Sequence, residues 1–151
     1  MGVSDRQAGI GRDDAIVRRA GRSDVHAIAL LWERAGLPES SRGFRNEIAR
    51  LRRRDPELLL IALREGELVG AIAGSYDGRT ATVSRLAVDE HVRRQGVATA
   101  LVDALCRQLS DLGATSTELV VVDDTAAAER FWTAIGFSRG RAVPRFVRGA
   151  R

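Results

Sequence analysis

The chain has 151 residues, 44% hydrophobic and 29% charged, which suits one domain with one core and excludes wholesale disorder. Its longest apolar run, Leu58 to Leu63, is far short of the ~20 residues of a membrane-spanning helix, and the polar N-terminus carries no apolar signal core. A single cysteine, Cys106, excludes an intrachain disulfide framework, and two histidines argue against a histidine-rich metal site. The expectation is a cytoplasmic, metal-free protein with no membrane association.

All 24 basic residues are arginine, which explains a pI near 10.7 on a net charge of only +4. A basic surface points to anionic partners, although arginine in place of lysine is as readily a matter of genome composition. Either way, no side chain offers an ammonium group for acylation.

Residues 1–13 have almost nothing to bury and read as a flexible tail, leaving a single domain over 14–151. Ala15-Ile16-Val17 predicts a first strand. Ser23 or Asp24 can cap a helix whose Val25, Ile28, Ala29 and Trp32 recur at helical spacing, and Gly36 and Pro38 end it. A second helix puts Phe44, Ile48 and Leu51 on one face and stops before Pro56. Leu58–Leu63 and Leu68–Ala73 then read as strands joined by Glu65-Gly66-Glu67. A second hairpin turn, Tyr76-Asp77-Gly78-Arg79, leads into a strand from Thr80 to Val88.

A polar loop, Asp89 to Gln95, opens a helix from Gly96 to Leu112 with Val97, Leu101, Val102, Leu105, Leu109 and Leu112 on one face. After Gly113, Glu118–Val122 predicts a strand, Thr125 caps a short helix carrying Phe131, Trp132 and Ile135, and Gly136 ends it. Phe137–Val147 completes the pattern as one or two closing strands. The order β-α-α-β-β-β-α-β-α-β gives an α/β fold, a mixed sheet flanked by helices.

The chemistry concentrates where the strand Leu86-Ala87-Val88 feeds a loop that opens a helix. The first turn of a helix exposes amides without an internal acceptor, and its dipole end is positive, so main chain alone can hold a phosphate there. Gly96 removes a Cβ from that approach, Ala98 keeps the next one shallow, and Arg93 and Arg94 add charge. The stretch is neither a P-loop nor a dinucleotide fingerprint.

Together with the element order, Arg93-Arg94-Gln95-Gly96-Val97-Ala98 resembles the R/Q-x-x-G-x-G/A segment of the GNAT superfamily of N-acetyltransferases. The likeness runs from Ala15 to Val147 and includes Ala128–Phe137 with its Gly-Phe ending. Leu31–Arg34 and Gly74–Gly78 resemble a bacterial branch of that superfamily, the YpeA type.

The resemblance implies the acyl-CoA N-acyltransferase fold, with two central strands splayed near Val88 and Val122 and the pantetheine arm of acetyl-CoA between them. It implies that Leu86, Ala87 and Val88 hold that arm, main-chain groups of Leu86 and Val88 bonding it as an extra strand would. The Val88 N–H would then stabilise the thioester oxygen. Arg93 and the amides from Arg94 through Gln95, Gly96, Val97, Ala98 and Thr99 would hold the pyrophosphate. The implied reaction is direct attack by a primary amine, on a small molecule or a protein N-terminus, through a tetrahedral intermediate. Relatives that dimerise imply a homodimer as one arrangement.

Many members place a proton-donating tyrosine and a pantetheine-contacting asparagine where this chain has Trp132 and Thr125. An indole cannot act as a general acid, so those two residues are expected only to line the cofactor. Tyr76, the sole tyrosine, is an alternative proton donor, against a plain turn residue. Glu33 is a candidate base acting through water, against an exposed carboxylate paired with Arg34 or Arg45. His26 reads as solvated and Cys106 as a small buried apolar residue. Arg50, Arg52, Arg53 and Arg54 suit the end of a helix, and no aromatic residues interleave them, which argues against nucleic-acid binding. Two other readings stay open here: a CoA-binding module without catalysis, and an arginine-rich nucleic-acid binder.

Overall fold

A computed structural model describes residues 15–119 and 125–150, which divide into two compact units between Val120 and Val121. In the first unit the chain runs β1 (Ile16–Arg19), α1 (Val25–Arg34), α2 (Phe44–Arg54), β2 (Leu59–Arg64), β3 (Glu67–Tyr76), β4 (Ala81–Val88), α3 (Val97–Asp111) and β5 (Thr117–Leu119). Sheet order is β1-β2-β3-β4-β5, antiparallel throughout except for the parallel β4–β5 pair. No helix among the described residues is long and apolar enough to cross a membrane.

Periodicity explains most of this. Ile28, Ala29, Leu31 and Trp32 of α1 and Phe44 and Ile48 of α2 are buried with Leu59, Ile61, Ala71, Ala73 and Ala87 of the sheet, one core layer. Trp32 and Phe44 meet edge to face at 5.7 Å. Gly36, at φ +72°, ends α1 as expected, its N–H bonding to Glu33 and that of Leu37 to Trp32.

The other face of the sheet receives α3. Gly70 and Gly74 of β3 make this approach possible: a Cβ on Gly70 would lie 2.9 Å from Leu101 Cδ1, and one on Gly74 would lie 2.9 Å from Leu105 Cδ1. The sequence places the end of this strand at Ala73, yet it continues through Gly74-Ser75-Tyr76, paired with Val83, Thr82 and Ala81. Here glycine marks close packing of a helix, not the end of a strand.

Two irregularities shape β4. Ala73 pairs with Arg85 but Gly74 with Val83, so Ser84 is an extra residue, a β-bulge whose hydroxyl donates to the Ala73 carbonyl at 3.0 Å. The parallel ladder to β5 runs from Ala81↔Thr117 to Val83↔Leu119. The remainder of the expected strand, including Val122 and the expected splay, falls at residues outside those described.

In the second unit α4 (Ala126–Ala134) begins as expected, with the Thr125 hydroxyl accepting from the Ala128 N–H at 3.1 Å. Gly136, at φ +101°, ends it, and the Phe137 N–H bonds back to Trp132. Trp132 packs edge to face on Phe131 and Phe137. The expected closing strands are absent: residues 137–150 form neither strand nor helix. Gly140 and Pro144 interrupt the segment, and Val143, Phe146 and Val147 are exposed, Phe146 at 92%, so no alternating face is buried.

Candidate functional site

The strand end, loop and helix start that carry the motif lie together in the first unit. The Asp89 N–H donates to the Val69 carbonyl of β3 at 2.7 Å. Successive peptide groups of a strand point to opposite edges, and Gly70↔Val88 and Ile72↔Leu86 are opposed pairs. The N–H and C=O groups of Val88 and Leu86 therefore face away from β3, while those of Ala87 face toward it. The positions that would continue β5 beside them belong to 120–124, outside the described residues.

The side chains alternate as well. Gly70, opposite Val88, meets α3, whereas Ala87 lies in the core layer under α1 and α2. Leu86 and Val88 are thus on the α3 side, and Arg85 on the α1–α2 side.

After Val88 the chain makes one 3-10 turn, Glu90–Val92, with the Asp89 carboxylate accepting from the His91 N–H. Arg94 adopts φ +65° and Gly96 φ +84°, two left-handed residues within three. A Cβ on Gly96 would meet nothing within 4 Å, so its backbone angle, not crowding by the protein, is what requires glycine. The first α3 bond is from the Ala100 N–H to the Gly96 carbonyl at 3.0 Å. The amides of Val97, Ala98 and Thr99 precede that ladder and have no helical acceptor. Arg93, Arg94, Gln95 and Gly96 are exposed around them. This is a row of donors at a helix start, with an exposed loop and two guanidinium groups alongside.

Other predicted residues fall in different places. Glu33 is exposed on the last turn of α1 and pairs with neither Arg34 nor Arg45, because Arg34 bonds to Asp89 at 3.4 Å and Arg45 to the His26 ring. The Arg34–Asp89 contact ties this helix end to the residue following Val88, so Glu33 sits one position from that tie.

Tyr76 lies elsewhere. It pairs with Ala81, seven residues before Val88, which is about 20 Å along a strand. A Cβ on Gly113, past the far end of α3, would be 3.7 Å from the Tyr76 hydroxyl. The structure does not bring that hydroxyl to the strand end, which removes it as a proton donor there. Thr125 and Trp132 belong to the second unit, with the contacts given above.

Cys106 is half-buried, not fully buried as the sequence suggests. Burial pushes its thiol up, a hydrogen bond with Thr117 partly offsetting this. Three side chains escape motif reading because their partners are distant in sequence. Arg64 donates to Gln95, Arg85 joins Glu47, and Asp89 holds Arg34.

Comparison with known proteins agrees with this arrangement. Residues 25–137 match the model of the acetyltransferase (GNAT) family. An acetyltransferase of Pectobacterium atrosepticum is 34% identical over 106 residues, 70% of this chain and 75% of that protein. One from Sodalis glossinidius is 35% identical over 104 residues, 69% and 73% of the two chains. Among solved structures, Ard1 from Thermoplasma volcanium has a TM-score of 0.74 at 29% identity, covering 84% of each chain. An aminoglycoside N-acetyltransferase, AAC(6')-Iy, solved with CoA, scores 0.76 at 14% identity over 91% and 97% of the chains, a likeness of fold. The α/β architecture, the strand-loop-helix centre and these matches place the chain in the GNAT family of acetyltransferases, as an acyltransferase enzyme.

Proposed function

We propose that this protein transfers the acetyl group of acetyl-CoA to a primary amine, on a small molecule or a protein N-terminus. The observation that carries the reading is the joint orientation of two donor sets. The Val88 and Leu86 peptide groups face away from β3, and the amides opening α3 have no helical acceptor. A group with an amide-bearing arm and a pyrophosphate needs such a strand edge followed by such an anion site.

The residues present fit acetyl-CoA. Leu86 and Val88 would bond the pantetheine arm through their main chain, whereas Ala87, expected beside them, spends its peptide groups on β3 and its side chain in the core. Arg93 and the row Arg94, Gln95, Gly96, Val97, Ala98 and Thr99 would hold the pyrophosphate. When bound, acetyl-CoA supplies an activated thioester carbonyl. The Val88 N–H would donate to that carbonyl oxygen as charge develops, a role typically worth about 10²–10³ in rate. Glu33 serves as the acceptor-side carboxylate, taking a proton from the incoming ammonium through water.

Water would supply the proton for the departing thiolate and take the one lost by the attacking nitrogen, since a thiol with a pKa near 8.5 leaves readily without a strong acid. Catalysis then rests mainly on positioning.

The test is a thermal melt with acetyl-CoA against an equal concentration of ATP, followed by thiol release across a panel of amines and N-terminal peptides. At about 100 times its Kd a ligand adds roughly 2.7 kcal/mol, several degrees of Tm. Stabilisation by acetyl-CoA and little by ATP, with amine-dependent thiol release, is expected. No stabilisation and no thiol release would overturn the reading.

A further inference from the structure

Arg64 closes β2, well outside the phosphate-loop motif in sequence. Its Nη1 donates to Gln95 Oε1, and Gln95 Nε2 donates to the His91 carbonyl at 3.3 Å. Gln95 is thereby strung between the end of one strand and the start of its own loop. On either side of it stand the two left-handed residues, Arg94 at φ +65° and Gly96 at φ +84°.

Glycine accepts that conformation freely, but an arginine does so only under strain, its Cβ crowding the carbonyl oxygen. Such a residue stays strained only where its surroundings hold it. Inside the loop, the Asp89 carboxylate fixes the His91 amide near the start. The hold on the far end comes from outside, through Gln95. Arg64 suits this task, for its Nε is buried without a hydrogen-bond partner and Gln95 is where its guanidinium bonds.

We propose that Arg64 is a positioning residue for CoA: through Gln95 it keeps Arg94 left-handed, so that the amides from Arg94 to Thr99 form one continuous row. This rests on the reading that α3 begins at the pyrophosphate site. Arg64 acts through Gln95 and not as a bare cation beside the phosphate.

The experiment is a calorimetric titration of CoA into the wild type, Arg64→Met, Arg64→Lys, Gln95→Ala and the double variants, each with a melt of the free protein. Loss of one such bond should weaken CoA about five- to tenfold in Arg64→Met. The free-protein melt should be nearly unchanged. Arg64→Lys should recover most of the affinity when Gln95 is present and none of it in the Gln95→Ala background. The Arg64→Met, Gln95→Ala double variant should be no weaker than Gln95→Ala alone.

Equal affinity in Arg64→Met would overturn the proposal. Additive losses, with lysine restoring affinity even without Gln95, would also overturn it, by showing Arg64 to be a direct phosphate cation. If Arg64→Met does not fold, Gln95→Ala alone carries the test, since CoA affinity equal to the wild type in that variant would overturn the proposal. Failure of the wild type to bind CoA would instead strike the reading beneath, and shows in the same titration.

Discussion

Arg85 of β4 grips Glu47 of α2 with two parallel hydrogen bonds, Nε to Oε2 at 3.0 Å and Nη2 to Oε1 at 3.1 Å. The pair is largely buried, 18% and 15% exposed, and the guanidinium stands 5.4 Å from the Trp32 ring centroid. Nη2 also donates to the Pro38 carbonyl at 2.9 Å, so one side chain fastens α1, α2 and the segment between them to the strand before Leu86. Such bidentate geometry is the strong form of an ion pair. Glu47→Ala should lower stability by about 1–3 kcal/mol, because it leaves a largely buried guanidinium without its carboxylate. CoA affinity should change little, since Glu47 lies on the face opposite α3. Urea denaturation beside CoA titration checks both halves.

Gly96 separates conformation from space. A Cβ there meets nothing within 4 Å, yet φ is +84°. Gly96→Ala should cost about 1–2 kcal/mol, and Gly96→Asn clearly less, because asparagine tolerates the left-handed region. Alanine should also weaken CoA more than asparagine does. Equal losses for the two variants would mean that the added side chain obstructs the ligand.

Gly70 and Gly74 invert that logic, since packing is what excludes a side chain. At Gly70 the near atoms are side-chain tips, Leu101 Cδ1 at 2.9 Å and Val97 Cγ1 at 3.1 Å. At Gly74 the Thr82 carbonyl oxygen, at 3.0 Å, joins Leu105. Alanine should destabilise at both, within the ~1–3 kcal/mol of an overpacked core, and more at Gly74, where backbone has to move. Urea midpoints of the two variants give the order.

Asp24 carries an acid-side dependence. Burial raises its pKa, but the Arg18 guanidinium at 2.8 Å, the Gly21 N–H at 2.7 Å and the Arg18 charge outweigh this and hold the carboxyl below its ordinary value. A group lowered in the folded state stabilises fully above its unfolded pKa, near 4, and loses that contribution as pH falls through the folded value. Asp24→Asn should therefore be less stable than the wild type at pH 7, with the gap closing below about pH 4. Melts between pH 7 and pH 3 follow it.

The helices and hairpins were legible because their signals are local: apolar spacing in α1 to α3, Asp-Gly in the second hairpin turn, and Thr125 and Gly136 bounding α4. The place of the motif at a strand end and helix start was legible because the direction of the main chain follows from strand and helix alone. Side-chain roles were not, since they depend on register. Tyr76 looks available in the sequence, and the strand continuing through Gly74 carries it to the wrong end of β4. Tyr76→Phe should leave kcat within about twofold, far from the 10²–10⁴ lost with a general acid. Arg64, Arg85 and Arg34 look like any surface arginines until the fold supplies Gln95, Glu47 and Asp89. The tail from Phe137 to Val147 misled for the opposite reason: it has strand composition but no buried face.

Ser84 gives β4 a parity. Were Ser84 instead paired with Ala73 in an unbulged ladder that keeps Val83 opposite Gly74, Ala87 would stand opposite Gly70, and the Leu86 and Val88 amides would turn inward to β3. Arg85 would lose Glu47 at the same stroke, since every side chain beyond the bulge would change sides. Deleting Ser84 would by contrast remove the bulge and keep both flanking registers, Gly74 opposite Val83 and Ala73 opposite Arg85. Pairing it into the ladder reverses which half of the strand end is open to a ligand. Side chains along β4 can change and leave that open edge as it is, but the phase that the bulge sets cannot.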